Sequence, residues 1–175
     1  MKKLIIIAIA AAIMIIPSLA SAQTASGTLT VTATVNGSIN LVFNSDAAGV
    51  ALTGSGTNAA TLAFGNVSAF GALAAGVVRT TTATTFTVSS AVDVNVTKTN
   101  SASANYTLNA QLGAADATNT WQVGGVTVTN AAAATITATG AYAANSNFPV
   151  AITVPFTTAS GTVISNTINY TATAN

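Results

Sequence analysis

Leu29-Thr-Val-Thr-Ala-Thr-Val-Asn-Gly-Ser-Ile-Asn-Leu-Val-Phe43 repeats with a period of two. Leu29, Val31, Ala33, Val35, Gly37, Ile39, Leu41 and Phe43 occupy every second position, and Thr30, Thr32, Thr34 and Asn36 stand between the early ones. A helix returns its side chains to one face every three or four residues. Strict alternation belongs to a strand with one apolar and one solvated face. A two-residue turn at Asn36-Gly37 would set Ile39 and Leu41 opposite threonines, and a half-buried sheet does not tolerate that slip. Two geometries remain open. A three-residue loop, Asn36-Gly37-Ser38, pairs Val35 with Ile39 and Val31 with Phe43. Alternatively the run stays extended for about 50 Å at ~3.3 Å per residue. Typical strands span ~17–20 Å, so half of such a run would project as an arm.

The same period recurs along the chain, with Gly, Asn and Ser between the runs. Leu62 and Phe64 read as a short strand ending at Gly65. Phe86 and Val88 begin another, and Val92, Val94 and Val96 form the next. Tyr106, Leu108, Ala110 and Leu112 alternate with polar residues. Trp121-Gln-Val123, Gly124-Gly125 and Val126-Thr-Val128 form a matched two-residue hairpin with Trp121 opposite Val128. Ile136 sits in a Thr/Ala strand. Phe148, Val150, Ile152, Val154 and Phe156 make the strongest apolar face. Pro149 and Pro155 remove N–H groups from one side of that strand, which places it at a sheet edge or a bend rather than in a sheet centre. Ile164, Ile168, Tyr170, Ala172 and Ala174 share a face of the last strand. The count is about eight or nine short strands. The fold expected is all-β, an Ig-like antiparallel β-sandwich.

Composition narrows the chemistry. The 175 residues are 50% hydrophobic and 4% charged, with four Lys or Arg, three Asp, and no His, Cys or Glu. Cys/His metal sites, Ser-His-Asp or Cys-His nucleophiles, histidine bases and disulfides all lack their residues. No enzymatic activity and no cofactor are expected. Lys2, Lys3, the apolar run Leu4–Ile16, Pro17 and Ala20-Ser21-Ala22 have the form of a secretory leader. Residues 1–22 are read as a signal peptide cut between Ala22 and Gln23, and residues 23–175 as one domain. After cleavage Arg79 and Lys98 face Asp46, Asp93 and Asp116, two cations against three acids and a net charge of −1. That balance offers no patch for nucleic acid and no means of stable membrane insertion. The expected route is secretion through a periplasm to the cell surface or an extracellular fibre.

Three segments carry a family resemblance: Gly27-Thr-Leu-Thr-Val-Thr-Ala-Thr-Val35 behind the leader, Leu62-Ala-Phe-Gly-Asn-Val67, and Thr167-Ile-Asn-Tyr-Thr-Ala-Thr173 near the end. With these the chain resembles the spore-coat-U and fimbrial-subunit type of secreted bacterial β-sandwich. The resemblance implies an incomplete Ig-like fold completed by the N-terminal arm of a neighbour. The donor would be Leu29, Val31, Ala33 and Val35. The acceptor groove would be lined by Phe148, Val150, Ile152, Val154 and Phe156. It also implies self-association into a polymer, with a periplasmic chaperone and an outer-membrane usher as partners. The physics is β-augmentation, in which main-chain hydrogen bonds give affinity and alternate side chains fill pockets.

Other readings attach to particular residues. Trp121 with Tyr106 and Tyr142 could form a glycan platform on a monomeric secreted binding module. Thr-x-Thr ladders could order water on ice. Eight alternating strands suit a small outer-membrane barrel. Lys98, Asp93 and an Asn suggest an intramolecular amide cross-link. Asp46 and Asp116 read as solvated loop acids.

Overall fold

The computed structural model describes residues 26–175, so the leader and the Ala22–Gln23 junction lie outside the described residues. The chain divides into two units, one reaching to Thr34 and one spanning Val35–Asn175. In the first, residues 26–34 form no strand, and Leu29 and Val31 are 88% and 80% exposed.

The second unit holds eleven strands and, among the described residues, no helix. They are β1 (Ser38–Ser45), β2 (Val78–Thr81), β3 (Thr85–Ser90), β4 (Val92–Thr99), β5 (Tyr106–Leu112), β6 (Thr120–Val123), β7 (Val126–Val128), β8 (Ala134–Gly140), β9 (Asn145–Asn147), β10 (Val150–Pro155) and β11 (Ile168–Ala174). Their pairings give the orders β1-β4-β9, β2-β3-β10-β6-β7 and β11-β5-β8, antiparallel throughout.

The first two groups are ends of one bent layer. Only Ala91 separates β3 from β4, and only Phe148-Pro149 separates β9 from β10. Between them Phe148 N–H donates to the Val92 carbonyl at 2.8 Å, continuing the ladder across the bend. The β11-β5-β8 group is the facing layer, so the all-β sandwich architecture is as the alternation implied. Of the eleven, β2 and β9 are the strands that the alternation did not single out, β9 lying just before the bend that leads into β10.

Alternation decides what is buried. Val92, Val94 and Val96 of β4 and Tyr106, Leu108, Ala110 and Leu112 of β5 turn inward, while the residues between them are half-buried or exposed. Trp121 stands opposite Val128 across Gly124-Gly125, both glycines having positive φ (57° and 81°), as a two-residue hairpin turn requires.

Three expectations are corrected. β10 is central, between β3 and β6, despite its prolines. Pro149 precedes it at the bend, and Pro155 is its last residue, paired with Thr85 beyond the reach of β6, whose pairing with β10 stops at Thr153 opposite Thr120. Neither ring therefore costs a ladder bond in the middle of the sheet. Leu62 and Phe64 form no strand; after an isolated bridge between Thr53 and Thr61 the segment packs its apolar side chains on the core without a ladder. The Asn36-Gly37-Ser38 hairpin does not form, since β1 begins at Ser38 and pairs with β4 alone. The strand within the Leu29–Phe43 run is confined to its second half.

Candidate functional site: a groove between two unpaired strand edges

β1 and β11 are edge strands of opposite layers and run antiparallel to one another. β1 starts, β4 ends, β5 starts and β11 ends at the same pole of the domain, near Ser38, Thr99, Tyr106 and Ala174. This is called the first pole. The second pole holds the start of β3, the end of β10 and the approach to β11.

Between the two edges runs a groove of about 1460 Å³. Ile39, Leu41 and Phe43 form one wall, Ile168 and Tyr170 the other, and segments 58–67 and 160–167 continue both walls toward the second pole. The floor is apolar: Leu52, Val88, Val92, Trp121, Val150, Ile152 and Val154. Small-molecule sites enclose roughly 300–1,000 Å³, so this opening exceeds the usual ligand pocket.

Main-chain direction follows from the neighbouring bonds. Phe43 N–H donates to the Thr57 carbonyl and its carbonyl accepts from Gly56 N–H, away from β4. Strand residues alternate in the side to which their N–H and C=O point, so Ile39 and Leu41 present theirs to the groove. On β11 the Thr167 carbonyl accepts from Gly113 N–H and Asn175 N–H donates to the Asn105 carbonyl, both on the β5 side. Ile168, Tyr170 and Ala172 therefore direct their main chain to the open edge. Two rows of strand hydrogen-bonding groups border an apolar trough.

Phe43 and Tyr170, from opposite walls, meet edge-on with ring centroids 5.0 Å apart. Burial pushes the Tyr170 phenol above its ordinary range, so the wall stays neutral. The floor is fixed by Asp116, which accepts the Trp121 Nε1–H bond at 2.8 Å. Burial works to raise the Asp116 pKa. Donors from the Asn119 backbone, the Trp121 indole, the Asn119 side chain and the Thr118 backbone outweigh it and hold the carboxyl at about 2.

Of the residues named for an acceptor, Val150, Ile152 and Val154 line the floor. Phe148 is half-buried against the core beyond the groove lining. Phe156 lies at the second pole, 41% exposed, stacked on Phe86 and 6.3 Å from Phe70. Sequence reasoning missed Leu41, Phe43, Ile168, Tyr170 and Trp121 as lining residues. Their alternation was visible, but not which strands would be left at edges.

The other singled-out groups fall elsewhere. Trp121 and Tyr106 are buried, which removes them from a surface platform. Lys98 donates to the Ser103 carbonyl and lies 4.9 Å above the Tyr142 ring. Asp46 and Asp93 each accept from Asn147 Nδ2, at 2.9 and 3.1 Å, on an exposed surface. Among the described residues no three acidic, His or Cys side chains gather as a metal site. No helix of the described residues is long and apolar enough to cross a membrane. The chain matches no protein-family model, no curated protein and no solved structure.

Proposed function

We propose that this chain is a non-enzymatic structural subunit that polymerises by β-strand addition. Residues 27–35 of one copy fill the groove between β1 and β11 of the next. The setting is a bacterial surface fibre or coat reached by secretion, with a periplasmic chaperone and an outer-membrane usher as assembly partners. One observation carries the reading: an apolar trough with free main-chain groups on both rims occurs in a chain that also bears an exposed alternating segment. Leu29, Val31, Ala33 and Val35 supply one apolar face, and the threonines between them would face solvent. Nine residues extend ~30 Å at ~3.3 Å each, a length that a seven-residue β11 plus its approach can accommodate.

Burying Leu29, Val31 and Val35 would contribute about 1.5–3 kcal/mol per side chain. The added strand would also satisfy the idle groups of Ile39, Leu41, Ile168, Tyr170 and Ala172. The test is an SDS gel of material sheared from producing cells, loaded unboiled and boiled, for the native chain and Leu29→Asp. The expected result is a ladder of unboiled multimers that boiling collapses to monomer and that Leu29→Asp abolishes. A native chain that runs as monomer in both lanes, or a ladder unaffected by Leu29→Asp, would overturn it.

A further inference from the structure

Large apolar side chains exposed among the described residues fall into two sets. One is Leu29, Val31 and Val35. The other is Phe70, Val78, Phe156 and Val163. Strand addition accounts for the first and leaves the second bare.

Three members of the second set belong to the second pole. Phe156 follows the end of β10, Phe70 lies against it, and Val163 (87% exposed) lies on the approach to β11 and lines the groove mouth. Phe70, 74% exposed, is held in place rather than left loose. Arg79 Nη1 donates to the Ser68 carbonyl at 2.8 Å and Nη2 to the Gly71 carbonyl at 2.9 Å. The Ser68 hydroxyl bonds the Phe70 carbonyl, and Thr81 Oγ1 donates to Ala69. The only arginine of the chain is thus committed to fixing a loop that presents a phenyl ring to solvent.

The route of the chain says what covers this pole. β11 runs toward the first pole and β1 away from it, so an added strand is antiparallel to one rim and parallel to the other. With β11, the rim offering more open main-chain groups (Ile168, Tyr170 and Ala172 against Ile39 and Leu41), as its antiparallel partner, the strand leaves the groove at the second pole. Only Asn36 and Gly37 separate Val35, the last arm residue, from Ser38, where β1 begins. Two or three residues span at most about 10 Å at ~3.3–3.6 Å each. The donor's body must then sit directly on the acceptor's second pole, presenting its own first pole. The first pole suits the role: its loop Asn100-Ser-Ala-Ser-Ala104 is small and uncharged. Its one nearby cation, Lys98, is already engaged by Ser103 and Tyr142.

Resting on the strand-addition reading, we infer that consecutive subunits also make a pole-to-pole contact. The second pole of one copy, Phe70, Phe156 and Val163, docks on the first-pole loop around Ser101 of the copy that donates the arm. The contact is heterologous and leaves one unlike pole free at each end, so it propagates as an open fibre instead of closing as a dimer.

The chain has no cysteine, which makes cross-linking unambiguous. Full-length chains carrying both Val163→Cys and Ser101→Cys are treated with a short bis-maleimide as sheared polymer and run boiled. The expected result is a covalent ladder of many rungs, absent from each single-cysteine variant and lost when Leu29→Asp is added. Phe70→Ser with Phe156→Ser should lower the temperature at which unboiled polymer dissociates while leaving the arm in its groove. A polymer that needs Leu29 but yields no covalent ladder and is indifferent to the Phe70/Phe156 change overturns the pole contact alone. A dimer from Val163→Cys by itself, which would place two second poles together, overturns it as well. A polymer that survives Leu29→Asp overturns the strand-addition reading beneath it.

Discussion

Residues 27–35 and β5 are written in nearly the same pattern and meet opposite fates. Tyr106, Leu108 and Ala110 alternate with Thr107, Asn109 and Gln111 and are essentially inaccessible. Leu29 and Val31 alternate with threonines and are almost fully exposed. β5 has β11 on one side, β8 on the other and Val94 and Val96 packed with its side chains. A period-two pattern makes a segment able to be a strand. Pairing neighbours on its edges and a layer against its apolar face make it one. The difference between the two segments lies in what surrounds them, and an exposed segment with this pattern is a strand lacking its sheet.

That contrast can be broken by mutation, and the largest effect should come from truncating the same residue type in both places. In the unpolymerised chain Leu108→Ala should cost about 2–5 kcal/mol in urea unfolding, the range for a buried leucine. Leu29→Ala should stay within about ±0.5 kcal/mol. Equal costs would mean that the arm is folded into its own chain, and the contrast would collapse.

A smaller effect should come from the floor of the groove, where Asp116 holds Trp121. Its folded pKa of about 2 lies below the ordinary 3.8, so its contribution is present above about pH 4 and is lost as the pH falls toward 2. The stability gap between the native chain and Asp116→Asn should close over that window and be flat above it. A gap independent of pH between 2 and 5 would remove the carboxylate from the account. The smallest effect sharpens the comparison within the layer itself. Thr87 and Thr153 face one another across β3 and β10 with hydroxyls 2.7 Å apart. In a double-mutant cycle with valine the pair should couple by about 0.2–1 kcal/mol, the range for cross-strand partners. Zero coupling would reduce the threonines to simple strand formers.

Legibility varied with the locality of the physics. The Trp121–Val128 hairpin was readable because a Gly-Gly turn fixes register over a few residues. The inward faces of β4 and β5 were readable for the same local reason, since period two assigns a side chain to a face without reference to its partner. β10 was misjudged because proline position was weighed against a whole strand, when neighbouring strand length decides which N–H groups are needed. Leu62 and Phe64 were misread as a strand because apolar packing alone produces the same spacing. Three of the five residues of the named acceptor face, Val150, Ile152 and Val154, lie along the groove floor. Phe148 and Phe156, just outside β10, leave that line where the layer bends and where the strand ends.

The amino-acid sequence by itself determined the class of the fold, the two-faced character of each strand and the absence of the residue types that most enzymatic sites require. Those properties follow from side-chain chemistry and from the two-residue repeat of an extended backbone. Only the tertiary structure decided that β1 and β11 would stand as unpaired edges of opposite layers, that the trough between them would be floored by Trp121 and β10, and that Phe70 and Phe156 would share one pole. Edges and poles arise from pairings between residues far apart in the chain, and no local pattern encodes which strand is left without a neighbour.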